Sequence, residues 1–351
     1  MAEHYAMRSG AGLLITEATV IAYDARGFPA TPGIYNEAQV AGWKSVVSAV
    51  RAKETGSLFF CQLWHQGRTA SKELSGGVTP VAPSAIVGWK NGWGGIGDVP
   101  QELTLDGIAK ILSQYRVATQ NAAAAGFDGV EIHGANGYLP DQFLHSSSNL
   151  RTDAYGGDIP RRAKFLLDAV KEAISVIGAD HVGVRISPAS HWQDVTDDTP
   201  RELFEYVARE LQALGIAYLH VVEPRETGLQ STPTDPVDAA LTGASFRAAG
   251  FTGPILSAGG FDYESGVDYL EHEKADAIVY GRHFIANPDL PLRFKKMAAG
   301  EKSTTINVYN RDTFYSQGEA GCECCDWEGS FGGCDTRSIK VARTKLLIFL
   351  N

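Results

Sequence analysis

Gly129-Val130-Glu131-Ile132-His133-Gly134-Ala135-Asn136-Gly137-Tyr138 is the stretch whose reading decides the fold. A short β-type run stops, and three side chains that can handle a carbonyl or a proton follow at once. His133 and Asn136 can both donate hydrogen bonds, and a phenol such as Tyr138, with a reference pKa near ~10, is protonated at neutral pH. Two donors and one proton source at the mouth of a strand suit a reaction that builds negative charge on an oxygen and then protonates a carbon. A lone histidine here reads as a satisfied core residue. With Asn136 and Tyr138 beside it, His133 reads as facing a ligand.

Outward from this run, short β-type stretches alternate with longer helical ones. The strand candidates are Leu13–Thr19, Ser57–Trp64, Gly129–Ala135, Val182–Ser187, Ala217–Glu223, Pro254–Gly260 and Ala277–Arg282. Between them, Asn36–Lys53, Leu105–Ala125, Arg161–Ile177 and Pro200–Leu214 carry helical spacing, and Glu264–Glu271 is a shorter helix candidate. Continuous apolar strands separated by helices mean a buried parallel sheet of the α/β class. A doubly wound dinucleotide fold wants a glycine fingerprint after an early strand, but Gly10-Ala11-Gly12 precedes the run at Leu13. The polar residues favour a closed (β/α)8 barrel instead. Glu17, Gln62, His133, Arg185, Glu223 and Arg282 all fall at C-terminal strand ends, the face on which barrel active sites are built. These runs supply seven strands, and a barrel needs eight. Ala2-Glu3-His4-Tyr5-Ala6 reads as helix, so the strand not accounted for is the first. Lys345–Leu350 is a further candidate, which either fills the gap or stands outside the barrel.

Ser257-Ala258-Gly259-Gly260 and Tyr280-Gly281-Arg282 end the last two of the seven runs. Barrels commonly hold phosphate after strands 7 and 8, where glycines admit close backbone approach and an arginine adds charge. Two ordinary glycine turns are the plain alternative. Arg185 lies inside an apolar strand and needs a partner, either a structural salt bridge with Glu223 or Glu17 or a ligand with partial negative charge. Gln62 offers a donor and an acceptor, matching an amide-like edge such as the pyrimidine side of a flavin, or else a core hydrogen bond. Phe28, Trp64 and Trp192 are pocket walls or core packing. His65 and His145 read as loop residues. No metal-binding histidine spacing occurs.

With 351 residues the chain can bury one large core. Its net charge of −10 and mean hydropathy of −0.13 describe an ordinary soluble protein and argue against nucleic acid and anionic membranes as partners. Met1–Thr19 lacks the basic start of a secretory signal, and a cytoplasmic location is expected. Cys322, Cys324, Cys325 and Cys334 are too irregularly spaced for a common zinc module, so no metal is expected. Cys61 reads as a core residue.

Taken together, Phe59-Phe60-Cys61-Gln62-Leu63-Trp64-His65-Gln66-Gly67-Arg68, the segment His133–Leu139 and Tyr155-Gly156-Gly157 fit one pattern. So do His220-Val221-Val222-Glu223-Pro224-Arg225, Ala258-Gly259-Gly260-Phe261, Tyr280-Gly281-Arg282 and Arg311-Asp312-Thr313-Phe314-Tyr315. From Ala2 to Gly321 the chain resembles the Old Yellow Enzyme family of FMN-dependent NADH:flavin oxidoreductases, nearest its 12-oxophytodienoate reductase branch. That resemblance implies a (β/α)8 barrel with FMN at its C-terminal face. It implies that Ala18 and Gln62 contact the flavin ring, that Arg185 lies beside its N1 edge, and that Gly259, Gly260, Gly281 and Arg282 hold the phosphate. His133 and Asn136 would grip a substrate carbonyl oxygen and Tyr138 would be the proton donor, with Phe28, Trp64 and Trp192 around the substrate.

The implied activity is ping-pong reduction of the C=C bond of α,β-unsaturated carbonyls, with NADPH as reductant. The protein would act as a monomer or weak homodimer. Relative to the family the chain reads as truncated: the N-terminal hairpin and first strand are expected to be missing from the barrel at 1–320, and 321–351 is a divergent cysteine-containing tail. The branch often has a second histidine where Asn136 stands, and either residue can donate to the oxygen. Two other readings stay open. One is a non-catalytic barrel remnant without FMN, and the other is a flavin-free barrel acting on a phosphorylated metabolite.

Overall fold

The computed structural model of the protein describes residues 1–88, 97–224, 240–310 and 346–350. Arg225, the Arg311–Tyr315 motif and the four tail cysteines lie outside the described residues.

The apolar runs form parallel strands: β1 (Leu13–Ile15), β2 (Thr19–Val20), β3 (Leu58–Trp64), then the two-residue pair β4 (Val81–Ala82) and β5 (Gln101–Glu102). There follow β6 (Gly129–Gly134), β7 (Val182–Ile186), β8 (Tyr218–Val222), β9 (Ile255–Ala258), β10 (Ala277–Tyr280) and β11 (Leu346–Leu350). Helices α1 (Ala2–Ala6), α2 (Glu37–Arg51), α3 (Leu105–Ala125), α4 (Leu139–Leu144), α5 (Ile159–Ile177) and α6 (Pro200–Leu214) are among the elements joining them. Local chemistry sets the helix ends. The side chains of Asn36, Thr104 and Asp158 accept from backbone N–H groups of the first turns of α2, α3 and α5.

Sheet order runs β1-β11-β10-β9-β8-β7-β6-β3, and β1 also pairs with β3, so eight parallel strands close on themselves. The open alternative for the tail is thereby settled. β11 lies between β10 and β1, with Ile348 the register partner of both Leu13 and Val279. The seam between β10 and β1 is thus filled by a backbone segment from far along the sequence, so neither strand presents an unpaired edge there.

The run expected at Leu13–Thr19 is broken into β1 and β2. The cause is α1, whose Tyr5 hydroxyl accepts from the Glu17 backbone N–H at 3.0 Å and takes it from the ladder. β3 ends at Trp64 as expected, while β6 to β10 stop one or two residues short, which leaves Glu223, Gly259, Gly260 and Gly281 in turns at the C-terminal mouth and Arg282 at the start of a short helix, Arg282–Ala286.

Side chains alternate across the barrel wall with a period of two. One face of the strands, including Phe59, Cys61, Leu63, Val130, Ile132, Val184 and Leu219, packs against the helices. The other face points inward, where Leu13, Ile15, Phe60, Tyr218, Leu256, Ala258, Ala277 and Val279 form the inner core. Gly183 is required there, because a Cβ on it would lie 2.2 Å from the Tyr218 ring. Cys61 is a core residue as expected, and burial pushes its thiol up to about 12. A shallow cavity of ≈ 230 Å³ lined by Asp128, Gly129 and His181 opens at the N-terminal end of β6, opposite the polar mouth. Among the described residues no helix is long and apolar enough to cross a membrane.

Candidate active site

Gln62, Glu131, His133, Arg185 and His220 share the inward parity of Phe60 and Tyr218, and strand register brings them side by side. Gln62 is paired with Glu131, His133 with Arg185, and Arg185 with His220. A charged cluster thus replaces apolar packing in the upper part of the barrel.

Its lowest part is closed by hydrogen bonds. Gln62 Nε2 donates to Glu131 Oε1 at 2.7 Å, and His220 Nδ1 lies 2.9 Å from Glu131 Oε2. Burial alone would raise the Glu131 carboxyl, but the His220 ring, the Arg185 guanidinium and the Gln62 amide outweigh it and hold it below the ordinary carboxylate value. Burial lowers His220, with the Arg185 cation adding to it against the pull of Glu131. We therefore read a carboxylate receiving an N–H from a neutral imidazole. Neither salt bridge expected for Arg185 is what the two acids do. Glu223 Oε1 accepts from the Gly243 N–H at 3.0 Å and the Ser257 hydroxyl at 2.6 Å, while Glu17 accepts from Tyr5. The charge that faces Arg185 is Glu131.

Above the cluster sit the rings. His133 and Tyr138 meet edge to face with centroids 4.9 Å apart, Tyr138 meets Trp64 at 4.8 Å, and Phe28 stacks on Trp64 at 5.8 Å. Burial, then the nearby Arg185 and His220, lower His133 well below the ordinary histidine value. A neutral ring donates one N–H without bringing a charge.

The loop between His133 and Tyr138 is fixed through its backbone. Asn136 takes a left-handed φ of 58° and its N–H donates to Ser187 Oγ at 2.7 Å. The next N–H, of Gly137, donates to Asp141 Oδ2 at 2.8 Å. Trp192 is brought to the same loop, for a Cβ on Gly137 would lie 2.5 Å from the Trp192 carbonyl oxygen. Ala18 links β1 to β2, whose Thr19 is the partner of Leu63, and so stands beside Gln62 on β3.

The glycine motifs form a second group, at the ends of the adjacent strands β9 and β10. Gly259 has φ 140°, and a Cβ there would stand 3.1 Å from the Glu223 carbonyl oxygen, so this backbone is open only to glycine. Gly281 precedes Arg282, whose guanidinium lies over the Tyr309 ring at 5.0 Å.

His65 and His145 are loop residues as expected, but both are buried. His65 Nδ1 accepts from the Gly67 N–H at 3.1 Å, and burial lowers its pKa to about 4. His145 Nε2 lies 3.2 Å from Asp141 Oδ1. Among the described residues no group of three or more His, Cys, Asp or Glu side chains could hold a metal ion. Glu131 and His220 were not picked out from sequence as site residues. The signal was available, since Glu131 sits two residues before His133 and must share its face.

A family model described as the NADH:flavin oxidoreductase / NADH oxidase family matches residues 1–301. The chain belongs to this family, that of the Old Yellow Enzymes. It is 41% identical over 333 residues to 12-oxophytodienoate reductase 7 of Oryza sativa subsp. japonica, covering 90% of this chain and 82% of that protein. With 12-oxophytodienoate reductase 2 of Arabidopsis thaliana it shares 40% over 326 residues, 89% and 82% of the two chains. The Old Yellow Enzyme homologue of Zymomonas mobilis superposes with a TM-score of 0.81 at 37% identity, over 91% of this chain and 87% of that one. Morphinone reductase superposes with a TM-score of 0.80 at 41% identity, over 90% and 84%.

This flavin oxidoreductase has residues that fit FMN. Arg185 Nε, His133 Nδ1 and His220 Nε2 are buried without a hydrogen-bond partner among the described residues. Buried polar groups are normally satisfied, and a polar ring edge entering the mouth would bring the missing partners. The glycine-lined turns after β9 and β10, with Arg282 beside them, suit a phosphate.

Proposed function

We propose that this oxidoreductase is an FMN-dependent ene-reductase. It takes NADPH as reductant and α,β-unsaturated carbonyls as oxidant, cyclopentenones of the 12-oxophytodienoate type among them, in two half-reactions that share one site. The observation that carries this reading is the edge-to-face pair His133–Tyr138 at the barrel mouth, beside the Arg185 cation. A relative, morphinone reductase, has been solved with tetrahydroNAD, which supports a nicotinamide as the reductant.

In this reading Gln62, Ala18 and Arg185 hold the flavin ring, and Gly259, Gly260, Gly281 and Arg282 hold its phosphate. FMN, when bound, supplies hydride transfer between nicotinamide and alkene. His133 and Asn136 hold the substrate oxygen and stabilise the negative charge that grows on it. Losing one such donor costs about 3 kcal/mol of barrier. Tyr138 gives its phenolic proton to the α-carbon. Phe28, Trp64 and Trp192 wall the substrate and keep water from the reacting atoms.

The test is direct. Purified protein is expected to be yellow, to release FMN on denaturation and to reduce 2-cyclohexenone with NADPH. A folded, colourless protein that FMN cannot reconstitute would end the proposal.

A further inference from the structure

Glu131 is fully buried inside the barrel, and no step described so far uses it. An ionised carboxylate in such a place is costly unless it is paired and hydrogen-bonded. Both of its oxygens are in use, one by Gln62 and one by His220. A carboxylate only accepts hydrogen bonds. The Gln62 amide must therefore turn its nitrogen toward Glu131, which leaves its oxygen and its second N–H for whatever enters the mouth. One acceptor beside one donor is the complement of an imide edge, N–H next to C=O, as the pyrimidine ring of a flavin presents. The same charge faces the Arg185 guanidinium and offsets part of its field.

We propose that Glu131 is a positioning residue: it sets which way the Gln62 amide faces the flavin and moderates the positive charge that Arg185 presents to it. The inference rests on the FMN reading above. A neutral glutamine at 131 could donate or accept, so the Gln62 amide would no longer have one defined orientation. Arg185 would then act without its counter-charge and favour the more negative, reduced ring.

The experiment compares wild type, Glu131→Gln, Glu131→Asp, Gln62→Ala and the double variant Glu131→Gln/Gln62→Ala as holoproteins. FMN dissociation constants and flavin midpoint potentials are measured for each. Glu131→Gln is expected to bind FMN at least about tenfold more weakly, on the scale of one lost charged hydrogen bond, and to have a less negative potential. The double variant should bind FMN no more weakly than Gln62→Ala alone, because Glu131 acts through Gln62. Glu131→Asp keeps the charge but shortens the reach, so it should lose affinity while holding the wild-type potential. Losses that add in the double variant would overturn the proposal, as would Glu131→Gln with wild-type affinity and potential. If Glu131→Gln does not fold, Glu131→Asp decides, and unchanged affinity there overturns it. Wild-type protein that binds no FMN defeats the underlying reading instead, and the two failures are told apart by the first sample.

Discussion

The Tyr138 ring stands edge-on to both His133 and Trp64, with centroids 4.9 and 4.8 Å away. Its position is thus set by ring packing rather than by its hydroxyl alone. Removing only that oxygen should leave the ring in place. Tyr138→Phe is expected to slow enone reduction about 10²-fold or more, the scale of a lost general acid. Reduction of the flavin by NADPH needs no proton from this group and should be nearly unaffected. Stopped-flow measurement of the two half-reactions separates them, and equal slowing of both would remove Tyr138 from this role.

Arg282 can be tested through the ligand instead of the reaction. If it binds a phosphate, Arg282→Ala should weaken FMN binding about tenfold or more, the loss expected for a charge-assisted hydrogen bond. Riboflavin has no phosphate, so its affinity should not change. Competition between the two flavins by fluorescence titration gives the answer. Parallel losses for both would place Arg282 elsewhere.

The fold was legible wherever a strand is buried on both faces, because such runs are mostly apolar and are often bounded by glycine or aspartate. The run ending in His133 is one of these, and its polar end marked the mouth of the barrel. The pairing of Leu346–Leu350 was not legible, since its register is held by Leu13 and Val279 and not by anything within the run itself. The break between β1 and β2 depends on Tyr5, a helical residue whose hydroxyl reaches the Glu17 amide. At the site, sequence marked the strand ends but missed Glu131 and His220. Inside apolar runs, a polar residue is read by its neighbours unless its parity with His133 is followed.

Buried histidines should make stability depend on pH. His65, His133 and His220 are all lowered in the folded protein, first of all by burial. Below the ordinary histidine value near ~6.5, the unfolded chain takes up protons that the folded chain refuses. Their contribution is therefore fully present above that value and is lost as pH falls. For His65 the window runs down to about 4. The slope is on the order of 1 kcal/mol per pH unit for each such group. His65→Asn keeps an acceptor for the Gly67 N–H but cannot titrate. Its melting temperature should fall less steeply than wild type between these limits, and identical slopes would contradict the assignment.

Closure of the barrel by β11 gives the last prediction. Ile348 is the register partner of Leu13 on one side and Val279 on the other. Proline cannot donate to a ladder and is excluded from central strands. Ile348→Pro should therefore open the seam between β1 and β10, exposing two strand edges that promote association. The expected result is a melting temperature lower by about 4 °C, corresponding to about 3 kcal/mol in a chain of this size. FMN retention should fall, and larger species should appear on size-exclusion chromatography. A variant with wild-type melting, FMN content and elution would show that the barrel does not depend on this strand.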